Sequence, residues 1–117
     1  MYTVIYLFPV PIAKVDAFLR VQREAGKIYM QYGALSDETL EPLDLQAAYG
    51  CAGFADTLAL KGDEDLYMGL SRFRDLAHHD EVMAKVDTDA RIGVLYDEML
   101  NVLEMPRVVR GAFAVSS

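Results

Sequence analysis

The sequence has no tryptophan, one cysteine and two histidines in 117 residues. Cys51 alone closes no disulfide within the chain, and no Cys-x-x-Cys or mixed Cys/His spacing offers a metal its ligands, so no metal is expected. Positive charge is also scarce: 11 Lys and Arg stand against 18 Asp and Glu, a formal net charge of -7. A surface that neutralises phosphates needs clustered cations, so nucleic acid is not expected as a partner and an anionic membrane surface is disfavoured. No apolar run approaches the roughly 18 residues of a membrane span, and the first residues lack the basic region of a secretory leader. The chain reads as cytoplasmic. Phosphate-cradling glycine loops, nucleophile elbows and Ser/His/acid orders are missing too, so no cofactor is expected. Asp63-Glu64-Asp65 lacks the alternating ligands of a calcium loop and reads as a solvated turn.

What is present is an ordinary globular balance, 53% hydrophobic and 25% charged. That suits one compact domain over residues 1–117 with its own core. Tyr2 to Phe8 is a β-branched and aromatic run stopped by Pro9-Val10-Pro11, which predicts a first strand. A helical pattern follows to Tyr32, with Gly33 as its stop. Val15, Phe18, Gln22, Ala25, Tyr29 and Tyr32 share its packed face, opposite Asp16, Arg20, Arg23, Glu24, Lys27 and Gln31. Gly26, inside that helix, signals a close approach or a tolerated defect.

Ala34 to Glu41 predicts a second strand, where Asp37 and Glu38 suit an exposed edge. Residues 41–62 read as an irregular loop holding a short helix or strand. Leu66 to Phe73 predicts a third strand. Asp75 then caps a helix with Leu76, His79, Val82, Met83 and Val86 on its packed side, ending near Thr88. A short helix around Val94 to Asn101 and a last strand from Val108 to Val115 complete the chain.

This order predicts an α+β, ferredoxin-like βαββαβ sandwich: a four-stranded antiparallel sheet with two helices on one face. Strands one and three are apolar on the other face as well, and an uncovered apolar face predicts a homodimer packed sheet to sheet.

Pro9-Val10-Pro11, Ala25-Gly26-Lys27, Gly33-Ala34-Leu35, Ala77-His78 with Asp80, Ala84-Lys85-Val86, and Asp89 with Arg91 occur in an order that resembles the bacterial YbaA-like family of unknown function. The resemblance implies a ferredoxin-like fold assembled as a dimeric α/β barrel, and no activity. Some members carry a label mentioning the RNA of the signal recognition particle, to which the acidic balance here gives no physical support. The chain departs from the family where a Ser-Arg-Ala-His-Arg-Asp segment is here Asp75-Leu76-Ala77-His78-His79-Asp80, and where Ala90 replaces a proline before Arg91. The segment entering the last strand is also shorter. If the two missing arginines bind an anion in relatives, that capacity is lost here.

The candidate chemistry centres on His79 and His78, the side chains that titrate near neutrality. Neighbours on a helix point about 100° apart, so the pair does not chelate one ion. His79 falls near the middle of the packed face and His78 on its flank, and a hydrogen-bonded structural role outweighs catalysis for either. Tyr6, Gln22, Tyr29, Tyr67 and Arg72 are candidate lining residues for a small-molecule pocket between sheet and helices, against the plainer reading of core tyrosines. Arg72 in a buried strand calls for a carboxylate partner or a bound anion, and Arg110 raises the same question. Cys51 reads as a packed thiol. Three functions remain open: a small-molecule binder, a cofactor-independent enzyme of monooxygenase or isomerase type using a pocket His or Tyr, and a protein-interaction module.

Overall fold

The computed structural model describes residues 1–116. Its sheet is antiparallel in the order β2-β3-β1-β4, formed by β1 (Tyr2–Pro11), β2 (Ser36–Leu40), β3 (Glu64–Phe73) and β4 (Val109–Ala114). The two central strands, β1 and β3, run in register from Tyr2 opposite Phe73 to Pro11 opposite Glu64. They are also the strands whose residues are apolar at successive positions, as expected where both faces of a strand must be shielded. β2, with its adjacent acids, is an edge strand.

Alternation sorts the side chains of β1 cleanly. Val4, Phe8 and Val10 sink into the core, whereas Thr3, Ile5 and Leu7 turn to the opposite face. Over the first face lie α1 (Val15–Gln31), α3 (Leu76–Val86) and α4 (Ala90–Leu100). The sandwich thus carries three substantial helices rather than two. α4 begins at Ala90, four residues earlier than its apolar pattern suggests, because the Asp89 carboxylate caps it by accepting the Arg91 backbone N–H at 2.9 Å.

The added helix changes what α1 must bury. All six residues of the predicted α1 stripe are buried or half-buried, and Val21 and Ile28 are buried as well. Val21 faces Leu95 and Met99 of α4 across a shared cavity, so the apolar band of α1 is wider than a sheet contact alone requires. Polar ties fasten the two helices. The Tyr32 hydroxyl donates to Asp89 Oδ2 at 2.8 Å, Arg91 donates to Gln31 Oε1 at 2.8 Å, and Arg20 pairs with Glu98. Gly33, at φ +108°, ends the helix in a conformation that favours glycine.

The connection from β2 to β3 leaves the sheet as an arm. It contains α2 (Phe54–Thr57) and a two-residue turn in which Tyr49 and Gly50 both take positive φ, closed by paired backbone hydrogen bonds between Ala48 and Cys51. This is the primed hairpin geometry, which ordinarily selects Asn-Gly or Asp-Gly. Leu43 and Tyr49 on the arm are fully exposed, and Cys51 is exposed rather than packed as its small neighbours suggest.

No α1, α3 or α4 residue covers the second sheet face. Leu40, Val109 and Phe113 are 41%, 46% and 61% exposed there, beside Ile5, Leu7, Met68 and Leu70. Among the described residues the sheltered part of this face is the corner at Leu66 and Pro9, where the arm brings Leu45 and Phe54 over Leu66.

Candidate functional site

On the helix side one cross-strand row reads Thr39, Gly69, Tyr6, Arg110, each directly opposite the next. Gly69 removes a side chain from the middle of this row. A Cβ there would sit 3.1 Å from the Phe8 ring and 3.4 Å from Gln22 Nε2, so glycine lets both settle onto the sheet. Gln22 reaches down from α1 and donates to the Thr39 hydroxyl at 3.3 Å. At the other end Arg110 Nε donates to the Tyr6 hydroxyl at 3.2 Å, with the guanidinium 5.8 Å from the ring centroid.

Above the row, between the sheet, α1 and α4, lies a cavity of about 270 Å³. Its walls are apolar, mainly Val21, Ile92, Leu95, Met99 and Met105, and its polar groups are Tyr6, Gln22, Tyr29 and Tyr96. A mostly apolar concavity with a few polar groups is the usual form of a small-molecule site. The Tyr29 phenol is pushed up to about 12, first by burial, then by the neighbouring Tyr6 phenol, Asp37 and Asp87, with Arg110 acting the other way. Tyr29 therefore remains a hydrogen-bond donor at neutral pH and is not a general base.

The predicted lining residues separate into three groups. Tyr6, Gln22 and Tyr29 meet at the cavity. Tyr67 is buried against Phe18, with ring centroids 5.4 Å apart, and borders the hollow beneath the arm. Arg72 lies on the opposite sheet face, because in β3 it alternates with Ser71 and Phe73. The carboxylate it calls for is supplied by the neighbouring strand: Arg72 Nη1 donates to Glu38 Oε1 at 2.7 Å.

The histidines exchange their expected places. His78, not His79, is the buried one, because α3 turns positions 78, 82 and 86 toward the core and leaves Leu76 exposed. Its Nδ1 accepts the Arg74 backbone N–H at 3.0 Å, and its own N–H donates to the Asp75 cap at 2.8 Å. His79 is half-buried between the rings of Tyr2 and Phe73, both 4.9 Å away, with Nδ1 2.9 Å from Asp80 Oδ1. Neither histidine lines the cavity. Tyr2 and Tyr6 are four residues apart on β1, so His79 lies about 13 Å along the strand from the Tyr6 end of the site.

Two features escaped the residue pattern. The α4 wall of Ile92, Leu95 and Met99 is spaced as one helical stripe behind the Asp89 cap, a signal that was available in the sequence. Asp37 had no such signal. Its carboxylate turns to the helix side of β2, accepts the Ser71 hydroxyl at 2.6 Å and is raised above the usual carboxylate range, chiefly by burial. A Cβ at Gly26 would meet Asp37 Oδ1 at 2.6 Å, so the close approach signalled by that glycine is to a side chain of β2.

Among the described residues no three His, Cys, Asp or Glu side chains cluster as metal ligands, and no helix is long and apolar enough to cross a membrane. Solved structures share the fold at low identity. An uncharacterized NIPSNAP domain protein from Burkholderia xenovorans matches with a TM-score of 0.65 at 13% identity, over 100% of this chain and 96% of that one. A dimeric ferredoxin-like protein from an uncultured marine organism matches with a TM-score of 0.64 at 11% identity, over 99% and 95%. A candidate antibiotic biosynthesis monooxygenase from Deinococcus radiodurans matches with a TM-score of 0.61 at 12% identity, over 100% and 94%. At such identities the likeness establishes the ferredoxin-like fold alone. No curated protein matches the sequence. A family profile does match over residues 1–102, from β1 through the end of α4, and the chain belongs to that family, described as Protein of unknown function (DUF1428).

Proposed function

We propose that this chain, as one domain over residues 1–117, is a small-molecule-binding protein of the cytoplasm that works as a homodimer, with its ligand in the cavity between sheet and helices. The observation that carries this reading is the convergence of Tyr6, Gln22 and Tyr29 on an apolar cavity of about 270 Å³. The homodimer rests on the open sheet face, whose exposed Leu40, Val109 and Phe113 form an apolar patch that a second copy would bury. The marine neighbour is itself named as dimeric, which supports the same assembly. The finer kinship, to the YbaA-like family, is part of this proposal. Cys51 as an exposed free thiol suits a reducing compartment.

A second reading, cofactor-independent monooxygenase or isomerase chemistry in the same cavity, is favoured by the Deinococcus neighbour. Any catalysis there would fall to Tyr6 or Tyr29, because both histidines lie outside the lining. Native mass spectrometry of the freshly purified protein tests the main reading. A dimer with a reproducible extra mass is the expected result and identifies what to assay for turnover. A monomer that binds no small molecule overturns it and leaves the open face as an interaction surface for another protein.

A further inference from the structure

The guanidinium groups of this protein are mostly occupied by carboxylates: Arg20 by Glu98, Arg72 by Glu38, Arg91 by Asp89 and Arg107 by Glu64. Among the described residues Arg23, Arg74 and Arg110 have no such partner, and Arg110 alone of these three is held against a side chain that lines the cavity, the Tyr6 phenol. Only its Nε is used in that contact, at 3.2 Å. Tyr2 also bears on this guanidinium, but among the described residues no carboxylate pairs with it, and its fork matches the two oxygens of a carboxylate. The acids near the site, Asp37 on β2 and Asp87 beyond α3, bear on Tyr29, and Asp37 stands on the sheet edge opposite to Arg110. Asp37 and Asp87 thus act on the Tyr29 phenol against Arg110, and none of the three is part of the cavity lining itself.

The body of the cavity sets the size. At ~30 Å³ for each water-sized group, 270 Å³ holds about nine such groups. That is one aromatic ring with a short carboxylate arm. Met99 and Met105 with Ile92 supply an apolar, adaptable wall for the ring, and the Tyr6 and Tyr29 hydroxyls and the Gln22 amide supply donors at its edge.

Resting on the small-molecule reading above, we propose that the cavity is selective for a small aromatic or apolar carboxylic acid, and that Arg110 is the specificity-determining residue that pairs its carboxylate. Tyr6 is the positioning residue, holding the guanidinium beside the cavity lining through the phenol contact.

The test is a titration of the ¹⁵N-labelled protein with phenylacetate, phenylacetamide and phenethylamine, followed by backbone amide shifts. Phenylacetate is expected to give saturable shifts at Tyr6, Tyr29, Ile92 and Met99, binding at least tenfold more tightly than the isosteric amide. Arg110→Gln should abolish that preference without changing amide binding, and Arg110→Lys should recover part of it. Arg110 is exposed on an edge strand, and retained peak dispersion shows that the variants fold. If acid and amide bind equally to the wild type, the carboxylate inference fails while the cavity reading stands. If none of the three probes gives saturable shifts at the cavity, both fail. If the acid preference survives in Arg110→Gln, another group selects the anion and the assignment of Arg110 is overturned.

Discussion

The two faces of one sheet are equally apolar in sequence and have opposite fates. On the helix side Val4, Val10 and Phe73 are nearly inaccessible, sealed by α1, α3 and α4. On the other side Leu40, Val109 and Phe113 remain open, and the one cover is the arm over Leu66. The helix side therefore holds the sealed core and the candidate site, and the open side leaves an apolar surface uncovered. Apolar content by itself distinguishes neither, since what decides is whether a helix from the same chain lies above.

The widest separation between the faces should come from two phenylalanines. Phe73→Ala, at 1% exposure, is expected to lower unfolding free energy by about 3–5 kcal/mol. Phe113→Ala, at 61%, should change it by less than about 0.5 kcal/mol at protein concentrations too low for association. Urea unfolding measures both. Phe113→Asp should weaken self-association in sedimentation, and an unaltered assembly would show that the open face is not the interface.

Gly26 offers a smaller effect with an unusual sign. An interior helix glycine replaced by alanine normally gains up to about 1 kcal/mol. Here the new methyl would press on Asp37 Oδ1, so Gly26→Ala should instead cost about 1–3 kcal/mol. The loss should shrink in the Gly26→Ala/Asp37→Ala double variant, which a double-mutant cycle reads directly.

At the start of the central strand β3, Glu64 accepts Arg107 Nη1 and Nη2 at 2.5 and 2.8 Å and is held down to about 2 by that guanidinium. A depressed carboxyl contributes stability that is fully present above its unfolded value, near 4.5, and is lost as pH falls through about 2. Arg107→Gln should flatten the acid limb of the stability curve between those values and leave the neutral region less stable. The same slope in both proteins would mean that the pair does not form in solution.

The most modest outcome is spectroscopic. Of seven tyrosines, Tyr29 should ionise late, with tyrosinate absorbance rising near pH 12. Tyr29→Phe should remove that last step with the fold retained, and a ligand in the cavity should delay it further.

Much of the fold was legible because its signals are local. A β-branched run before Pro9-Val10-Pro11, a stripe at helical spacing before Gly33 and an aspartate ahead of Leu76 each depend on a few neighbouring residues, and each element formed near its expected place. Less was legible in the site. Tyr6, Gln22 and Tyr29 line one cavity, but placing Arg72 required knowing which sheet face β3 presents at that position. The histidine order turned on a rotation of α3 by about half of the 100° that separates neighbours, since Val82 and Val86 stay buried while His78 replaces His79 and Leu76. That phase is set by the Asp75 cap and the His78–Arg74 hydrogen bond rather than by hydrophobicity alone. The hairpin at Tyr49-Gly50 was hidden because tyrosine is a poor marker for positive φ.

The sequence by itself determined the order of strands and helices, the apolar character of both faces of β1 and β3, and the acidic balance of the chain, because all of these follow from periodicity and composition. Tertiary structure alone decided that α4 closes one side of a cavity, that Arg72 meets Glu38 while Arg110 meets Tyr6, and that Asp37 fills the space left by Gly26. Those pairings join residues distant in the chain, and only the packed sheet and helices bring their side chains within contact distance.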